Sequence, residues 1–160
     1  LDGKVDDVKS ASPWSYVNKF SSLESLAKSD SFGYVSQLVG YAKAAELDVG
    51  GWWVVNKANG EFKYVDASSV DEPTVVQEIE ETVEYINEDK PFERCFEAIP
   101  ETYFRKPTGN MVLGTECGFC SYKHKCWPNL KELPSKAYKG KKTPPMVDYI
   151  LLSPEYAEAH

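Results

Sequence analysis

Asp7 and Lys9 stand two residues apart in the run VDDVK, which has the composition of a strand. Because side chains alternate across a strand, both point to one face, while Asp6 and Val8 point to the other. On the first face a carboxylate can hold a divalent ion such as Mg²⁺, and the Val8 carbonyl can add another oxygen ligand. The lysine can orient an attacking water or neutralise charge on a phosphorane. This arrangement suits metal-assisted phosphodiester cleavage, although such triplets are also common in surface strands.

Gln37 and Tyr41 form a second feature with chemical potential. They lie four residues apart in a segment with helical periodicity, SQLVGYAKA, so they share one face of a helix. Together they can bind a phosphate or the edge of a nucleotide. The alternative is that Gln37 faces solvent and Tyr41 belongs to the core.

The cysteines give the most specific pattern in the chain, Cys117-x2-Cys120-x5-Cys126. Thiolates at this spacing can grip one metal centre from a tight loop. Zinc needs four tetrahedral ligands, and an iron–sulfur cluster also needs four, usually all cysteine. Cys95 is the remaining cysteine and can supply the fourth ligand, whereas His124 would crowd the turn next to Cys126. The alternative is a chance C-x2-C among free cysteines.

The residues around the cysteines are both aromatic and basic. Such side chains can stack nucleic-acid bases and contact phosphates, or they can wall off a metal centre from water. The set comprises Phe119, Tyr122, Lys123, His124, Lys125 and Trp127.

Strand-forming runs must carry the first of these features. Residues 1–9 predict the end of one strand, a turn, and a second strand that contains the Asp7–Lys9 pair. Residues 51–57 and 61–67 are rich in β-branched and aromatic side chains. The Asn59-Gly60 pair between them predicts a hairpin, because a type I′ turn needs positive φ.

Helical periodicity predicts two main helices, over 31–47 and 73–88. Acidic residues line one face of the second, which indicates a solvated surface, while its apolar residues line the other: Val75, Val76, Ile79, Val83 and Ile86. Residues 10–30 are Ser-rich and predict a structured loop with a short helix after Pro13. The chain is therefore expected to be α/β, with a mixed central sheet and flanking helices.

Composition narrows the possible classes of protein. The chain has 160 residues, of which 42% are hydrophobic and 27% charged, so it is long enough for a folded domain and too apolar for a disordered one. No apolar stretch approaches a membrane span, and no secretory signal is visible. Four cysteines, three of them within ten residues, favour metal ligation in a reducing compartment over a disulfide scaffold. We therefore expect a cytoplasmic protein.

The formal net charge of −7 argues against binding nucleic acid over the whole surface. The charge is unevenly distributed, however. Acidic residues concentrate in 71–93, whereas seven lysines stand in 123–142. A local basic groove therefore remains compatible with the composition.

Taken together, VDDVKSAS, QLVGYAKA and CGFCSYKHKCWP resemble the PD-(D/E)xK nuclease superfamily, in particular its RecB-like and Cas4-like branch, which includes phage exonucleases. The resemblance covers residues 1–130. Asp7 and Lys9 match the (D/E)xK motif, and Gln37 and Tyr41 match the QxxxY motif on the following helix. The resemblance implies a restriction-endonuclease-like core. It also implies a [4Fe–4S] cluster held by the C-terminal cysteines, which are Cys117, Cys120 and Cys126.

Two features depart from the family pattern. The family has an earlier acid on the preceding strand, and Asp2 lies near that place but beside Gly3 in the predicted turn. We therefore expect the motif acid upstream of Leu1, so that the chain begins inside the catalytic strand pair. In Cas4-like proteins the fourth cluster cysteine precedes the nuclease core, whereas here Cys95 would complete a four-thiolate set and is favoured.

The resemblance implies a metal-dependent DNA exonuclease in a bacterial cell or a phage-infected host. In that hypothesis Asp7 and an upstream acid bind Mg²⁺ or Mn²⁺, Lys9 positions the attacking water, and Gln37 and Tyr41 hold DNA that has a free end or is single-stranded. The cysteine site, an iron–sulfur cluster or alternatively Zn²⁺, staples the segment 91–130 to a core formed by 1–90.

Residues 131–160 are Pro-rich and predict an extended tail. Recombination or replication proteins are the expected partners of such a nuclease, and no membrane association is expected. The alternative function is a non-catalytic, zinc-stapled module for nucleic-acid binding or assembly.

Overall fold

A computed structural model describes residues 3–91, 93–135 and 143–158. Two sequence expectations lie outside these ranges: the position of Asp2, and four of the C-terminal lysines, at 136, 139, 141 and 142. The chain divides into two compact units, Leu1–Lys90 and Pro91–His160. The first unit ends where the sequence analysis placed the end of the core.

The first unit combines three strands with four α-helices and a 3₁₀ turn, Lys19–Ser21. The strands are β1 (Lys4–Ala11), β2 (Asp48–Asn56) and β3 (Phe62–Asp66). The helices are α1 (Pro13–Val17), α2 (Leu23–Ala27), α3 (Tyr34–Ala45) and α4 (Glu72–Asn87).

A mixed sheet in the order β1-β2-β3 forms the centre of this unit. β1 and β2 are parallel, so the chain must cross from the end of one to the start of the other, and helices α1 to α3 make this connection. β2 and β3 are antiparallel and form the predicted hairpin, in which Gly60 has a φ of 76°. The α/β class and the mixed sheet predicted for 1–90 are confirmed.

The Ser-rich segment forms more helix than its composition predicts. Ser12 accepts a hydrogen bond from the Ser15 amide at the start of α1, and Ser22 does the same from Ser25 at the start of α2. These serines are N-caps, which satisfy amide donors that a helix start leaves unpaired. The segment therefore holds two short helices and a 3₁₀ turn rather than a loop with one helix.

The core of the first unit lies between the sheet and α3. From this helix Leu38, Val39 and Ala42 are buried at the predicted helical spacing. They meet β2 side chains, among them the fully buried Trp52. Burial of each large apolar side chain contributes roughly 1.5–3 kcal/mol. This packing fixes the position of α3 over the face of β1 that carries Asp7.

Helix α4 buries only the beginning of its apolar face. Val75 and Val76 pack against the core, whereas Val83 and Ile86, two turns later, are exposed. Its acidic residues are also exposed, as predicted for a solvated helix face. One of them, Glu80, forms an ion pair of 2.7 Å with Lys43.

The second unit contains an antiparallel sheet in the order β4-β5-β7-β6. Its strands are β4 (Ile99–Tyr103), β5 (Lys106–Val112), β6 (Lys131–Pro134) and β7 (Met146–Leu151). Its short helices are α5 (Thr115–Gly118), α6 (Lys123–Cys126) and α7 (Pro154–Ala157).

The prediction of an extended tail for 131–160 is wrong. β7 pairs with both β5 and β6, and Tyr149 and Tyr156 join the small core of this unit. Prolines in this region gave the appearance of a tail, but Pro134 ends an edge strand, where a missing amide donor is tolerated. Among the described residues, no helix has the length and apolar character that crossing a bilayer requires.

Candidate functional site

Three of the predicted site residues meet at the face of β1 that lies under α3. The ammonium of Lys9 lies 2.8 Å from Oδ2 of Asp7, and it donates a hydrogen bond of 2.5 Å to Oε1 of Gln37. The prediction that Asp7 and Lys9 share a strand face is confirmed. Gln37 is 28 residues further along the chain and arrives through the packing of α3, so the contact is tertiary.

The carboxylate of Asp7 is only partly satisfied. Its side chain is 19% exposed, and atom Oδ2 is buried without a hydrogen bond of acceptable geometry, although the Lys9 charge is close. A buried acceptor without a hydrogen bond is costly, whereas a cation can satisfy it. Mg²⁺ is commonly bound through one or two carboxylates together with waters and substrate phosphates. Asp7 therefore fits as one ligand of a divalent ion.

The described residues do not supply a complete protein ligand set. Across 3–91, 93–135 and 143–158, no three His, Cys, Asp or Glu side chains form a group that could hold a metal ion. Asp7 would thus act with water, phosphate or backbone oxygens. The Val8 carbonyl remains a predicted ligand.

Tyr41 does not join the other three residues. It lies one helical turn beyond Gln37, is 52% exposed, and forms no hydrogen bond with Asp7, Lys9 or Gln37 in the described part of the chain. The alternative interpretation of this pair is correct for Gln37, which is exposed although it contacts Lys9. It is wrong for Tyr41, which is not a core residue.

Tyr34 is a neighbour of Lys9 that sequence reasoning missed. The Lys9 ammonium lies 4.9 Å from the centre of the Tyr34 ring, a cation–π distance. Tyr34 stands three residues before Gln37 on α3, so helical spacing could have indicated it. Asp30 fixes this end of the helix, because its carboxylate accepts hydrogen bonds of 2.8 Å from the amides of Tyr34 and Val35.

Asp6 has a structural role on the opposite face of β1. Its carboxylate accepts hydrogen bonds from the Gly51 amide at 3.0 Å, the Trp53 indole at 3.2 Å and the Tyr64 hydroxyl at 2.8 Å. These donors lie on β2 and β3, so one side chain links all three strands.

A bulge in β2 accompanies the Asp6 contacts. Val5 pairs with Val49 but Asp7 pairs with Trp52, so β2 has one extra residue opposite Asp6. A Cβ on Gly50 would lie 2.1 Å from Asp6 Oδ1, which explains why glycine is required there. The bulge sets the register in which Asp7 stands over the core.

The other three cysteines lie within electrostatic range of Cys117. Burial raises the pKa of the Cys117 thiol, and the charges of Cys120, Cys126, Glu116 and Cys95 raise it further. The backbone amide of Tyr122 donates a hydrogen bond of 3.4 Å to the Sγ atom of Cys120. All four are free cysteines, but in the described residues they do not form a metal-holding group.

Arg94 brings the segment of Cys95 to the other cysteines. Its guanidinium lies 3.9 Å from the centre of the Trp127 ring, and its Nε donates to the Cys126 carbonyl at 3.0 Å. Two independent contacts therefore hold Arg94 against the end of α6. Since Cys95 directly follows Arg94, it is placed beside the C-x2-C-x5-C segment. No pattern around Arg94 in the sequence indicated this role.

The basic and aromatic residues around the cysteines divide into two groups. Lys123 forms an ion pair of 2.7 Å with Asp148 on β7, and Trp127 is buried beneath Arg94, so both are structural. Phe119, Tyr122, His124 and Lys125 are exposed. Only this second group is accessible to a binding partner, and its contact with nucleic acid stays a prediction.

Glu101 is a buried carboxylate that sequence reasoning also missed. It is 6% exposed and accepts hydrogen bonds of 2.8–2.9 Å from Thr108, Asn110, Ser135 and Tyr149. Burial raises the pKa of Glu101, but these hydrogen bonds lower it by more, so the pKa lies below the usual value. Because every donor is a neutral side chain of the second unit, we assign Glu101 a role in stabilising that unit.

Comparisons of the chain with protein-family models, with curated proteins and with solved structures give no match in any of the three. Any functional assignment therefore depends on the residues themselves and on the contacts described above.

Proposed function

We propose that the protein is a metal-dependent DNA exonuclease with a restriction-endonuclease-like core of the PD-(D/E)xK type. The observation that carries this proposal is the meeting of Asp7, Lys9 and Gln37 at one point of the first unit. The three residues come from two of the three motifs that resemble the RecB-like and Cas4-like branch. Sequence order alone does not require them to touch, so their contact is an independent support.

Each of the three residues has a distinct task in phosphodiester hydrolysis. Asp7 presents a carboxylate whose buried Oδ2 lies 2.8 Å from the Lys9 ammonium, and a carboxylate can bind a divalent ion. Such an ion, when bound, polarises the phosphate and acidifies a water. Lys9 places a positive charge where the phosphorane forms. Gln37 holds the Lys9 ammonium in position, because its Oε1 accepts a hydrogen bond from it. Water adds to phosphorus, the P–O bond to the leaving nucleotide breaks, and a proton passes to that oxygen.

Lys9→Ala tests the proposal directly. Removal of one group that stabilises developing charge typically lowers kcat by 10²- to 10³-fold, and we expect about that loss of Mg²⁺-dependent cleavage of a linear DNA. Lys28→Ala is the matched control, because Lys28 is an exposed lysine paired only with Glu24 on its own helix. The measurement is release of labelled nucleotides by the full natural protein.

Two results would contradict this assignment. If the Lys9→Ala variant cleaves DNA as fast as the wild type, the site has no catalytic role. A wild-type protein that binds DNA and one zinc ion but does not cleave with Mg²⁺ or Mn²⁺ supports instead the zinc-stapled binding module.

We also propose that the cysteines hold a structural metal centre, a [4Fe–4S] cluster or alternatively Zn²⁺. The ligands would be Cys95, Cys117, Cys120 and Cys126. The support is chemical and local: three cysteines lie within electrostatic range of Cys117, and Arg94 attaches the segment of Cys95, the most distant of them in sequence, to the end of α6. A centre of this kind contributes its binding free energy to folding, so its loss should affect stability more than chemistry.

A further inference from the structure

A row of three aromatic rings leads from the core of the first unit to its surface beside Lys9. Phe20 is buried, Tyr34 lies 5.8 Å from it between ring centres, and Phe32 lies 6.2 Å beyond Tyr34, with 30° between the planes of the last two rings. Phe32, at the outer end, is 48% exposed. The inner ring is thus held by packing, and the outer ring presents an aromatic surface to solvent.

Two ammonium groups accompany this row. Lys19 lies 4.8 Å from the centre of Tyr34 and 5.6 Å from that of Phe32, and Lys9 lies 4.9 Å from Tyr34. Lys9 is neutralised by Asp7. In contrast, no carboxylate among the described residues forms an ion pair with Lys19. A positive charge without an acidic partner therefore stands next to an exposed ring and next to the candidate active site.

We infer that Phe32 and Lys19 form a subsite for single-stranded DNA, with a base against the Phe32 ring and its phosphate at the Lys19 ammonium. Every base has a face that can stack on an aromatic side chain, but a base inside a duplex has that face covered by its neighbours. The subsite therefore selects an unpaired strand. Tyr34 connects it to Lys9, so the strand bound there continues toward Asp7. This inference rests on the proposed function and names the form of its substrate.

Binding measurements on two variants test the inference. A fluorescein-labelled oligothymidylate is titrated with Phe32→Ala and Lys19→Gln proteins in Ca²⁺, so that little cleavage occurs. We expect Phe32→Ala to weaken binding roughly 5- to 100-fold, the usual effect of removing one base-stacking ring. Lys19→Gln should reduce the slope of log K against log salt by about 0.7, the value for one phosphate contact to a single strand. Phe32→Ala should leave that slope unchanged.

Matched controls separate the subsite from general effects. Phe62→Ala removes a ring that is 68% exposed on β3, and Lys28→Gln removes an exposed lysine charge. Both should bind the oligonucleotide as the wild type does. A blunt duplex of the same length should show little change with Phe32→Ala. If Phe32→Ala unfolds at lower temperature, Phe32→Leu keeps an apolar side chain without the ring face and should weaken binding in the same direction.

The outcomes distinguish the two proposals. If Phe32→Ala, Phe32→Leu and Lys19→Gln bind like the controls while the wild type cleaves DNA, the subsite is wrong and the nuclease assignment stands. If the variants lose affinity as expected but no divalent metal supports cleavage, the subsite stands and the nuclease assignment fails. If the wild-type protein does not bind single strands at all, the subsite is wrong as well. The contacts between the lysines and the rings would then serve only the packing of the first unit.

Discussion

Asp6 and Asp7 are adjacent and chemically identical, yet their surroundings differ in every respect. Asp6 accepts three hydrogen bonds from neutral donors on two other strands. Asp7 has a lysine charge beside it and an oxygen without any hydrogen bond. The alternation of a strand produces this difference, because consecutive side chains enter opposite faces. One aspartate is therefore suited to holding the sheet together and the other to holding a cation.

Asp6→Ala should lower stability without lowering catalysis. The change leaves the Gly51 amide, the Trp53 indole and the Tyr64 hydroxyl without this acceptor, and we expect a loss of about 1 kcal/mol in the free energy of unfolding, since water reaches part of the site. Urea denaturation gives the stability, and nucleotide release gives the activity of the folded variant. Asp7→Asn is the matched comparison, with activity lost and stability nearly retained. A folded but inactive Asp6→Ala protein would place Asp6 in the chemistry instead.

At the scale of the elements, local patterns predicted the first unit better than the second. The hairpin at Gly60 and the helices α3 and α4 follow from turn chemistry and from periodicity, which act over a few residues. The bulge at Gly50 could not be predicted, because it depends on the parallel partner strand 45 residues away. The strands β6 and β7 were missed for a similar reason. Their pairing is tertiary, and the prolines near them dominate the local pattern.

The candidate site shows the same division. The shared face of Asp7 and Lys9 follows from strand alternation alone. The contact of Lys9 with Gln37 depends on how α3 packs across the sheet. The spacing of the two residues does not predict this contact, and only the family resemblance suggested that both belong to one site. The role of Arg94 could be recognised only in the structure, because a single arginine before a cysteine forms no distinctive sequence pattern.

Glu101 links three strands of the second sheet. The loss of stability on replacing it should depend on pH. Its pKa is lowered in the folded protein, so its stabilisation is complete above the unfolded pKa of about 4.3 and disappears as pH falls through the folded value. We expect Glu101→Gln to reduce the free energy of unfolding by about 2 kcal/mol at pH 7. The difference from wild type should shrink in urea titrations at pH 3. An equal difference at both pH values would exclude a role for the carboxylate charge.

At the scale of the whole molecule, the net charge of −7 bears on the proposed binding of DNA. Much of the acid lies on the exposed face of α4. The proposed binding would therefore use local groups such as Lys9 and Lys19, and it should weaken steeply as salt rises.

The proposed cysteine centre should join the two ends of the segment 91–130. Cys95→Ser is expected to lower the iron or zinc content of protein purified without oxygen and to lower its melting temperature, because a ligand is lost. His124→Ala is the control, since this exposed side chain is not expected to be a ligand. Elemental analysis and the visible spectrum measure the outcome. Full metal content in Cys95→Ser would assign the fourth ligand to another residue.

The order of the second sheet also bears on how the chain folds during synthesis. β7, an inner strand of that sheet, is made after β4, β5 and β6, and both β5 and β6 pair with it. Strands β1 to β3 can pair once Asp66 has been added, whereas the pairing of β5 with β7 waits until residues 146–151 leave the ribosome. All four cysteines emerge before that point, on a segment whose supporting sheet is still incomplete. If these thiols hold the proposed metal centre, the metal can therefore bind before the second unit closes.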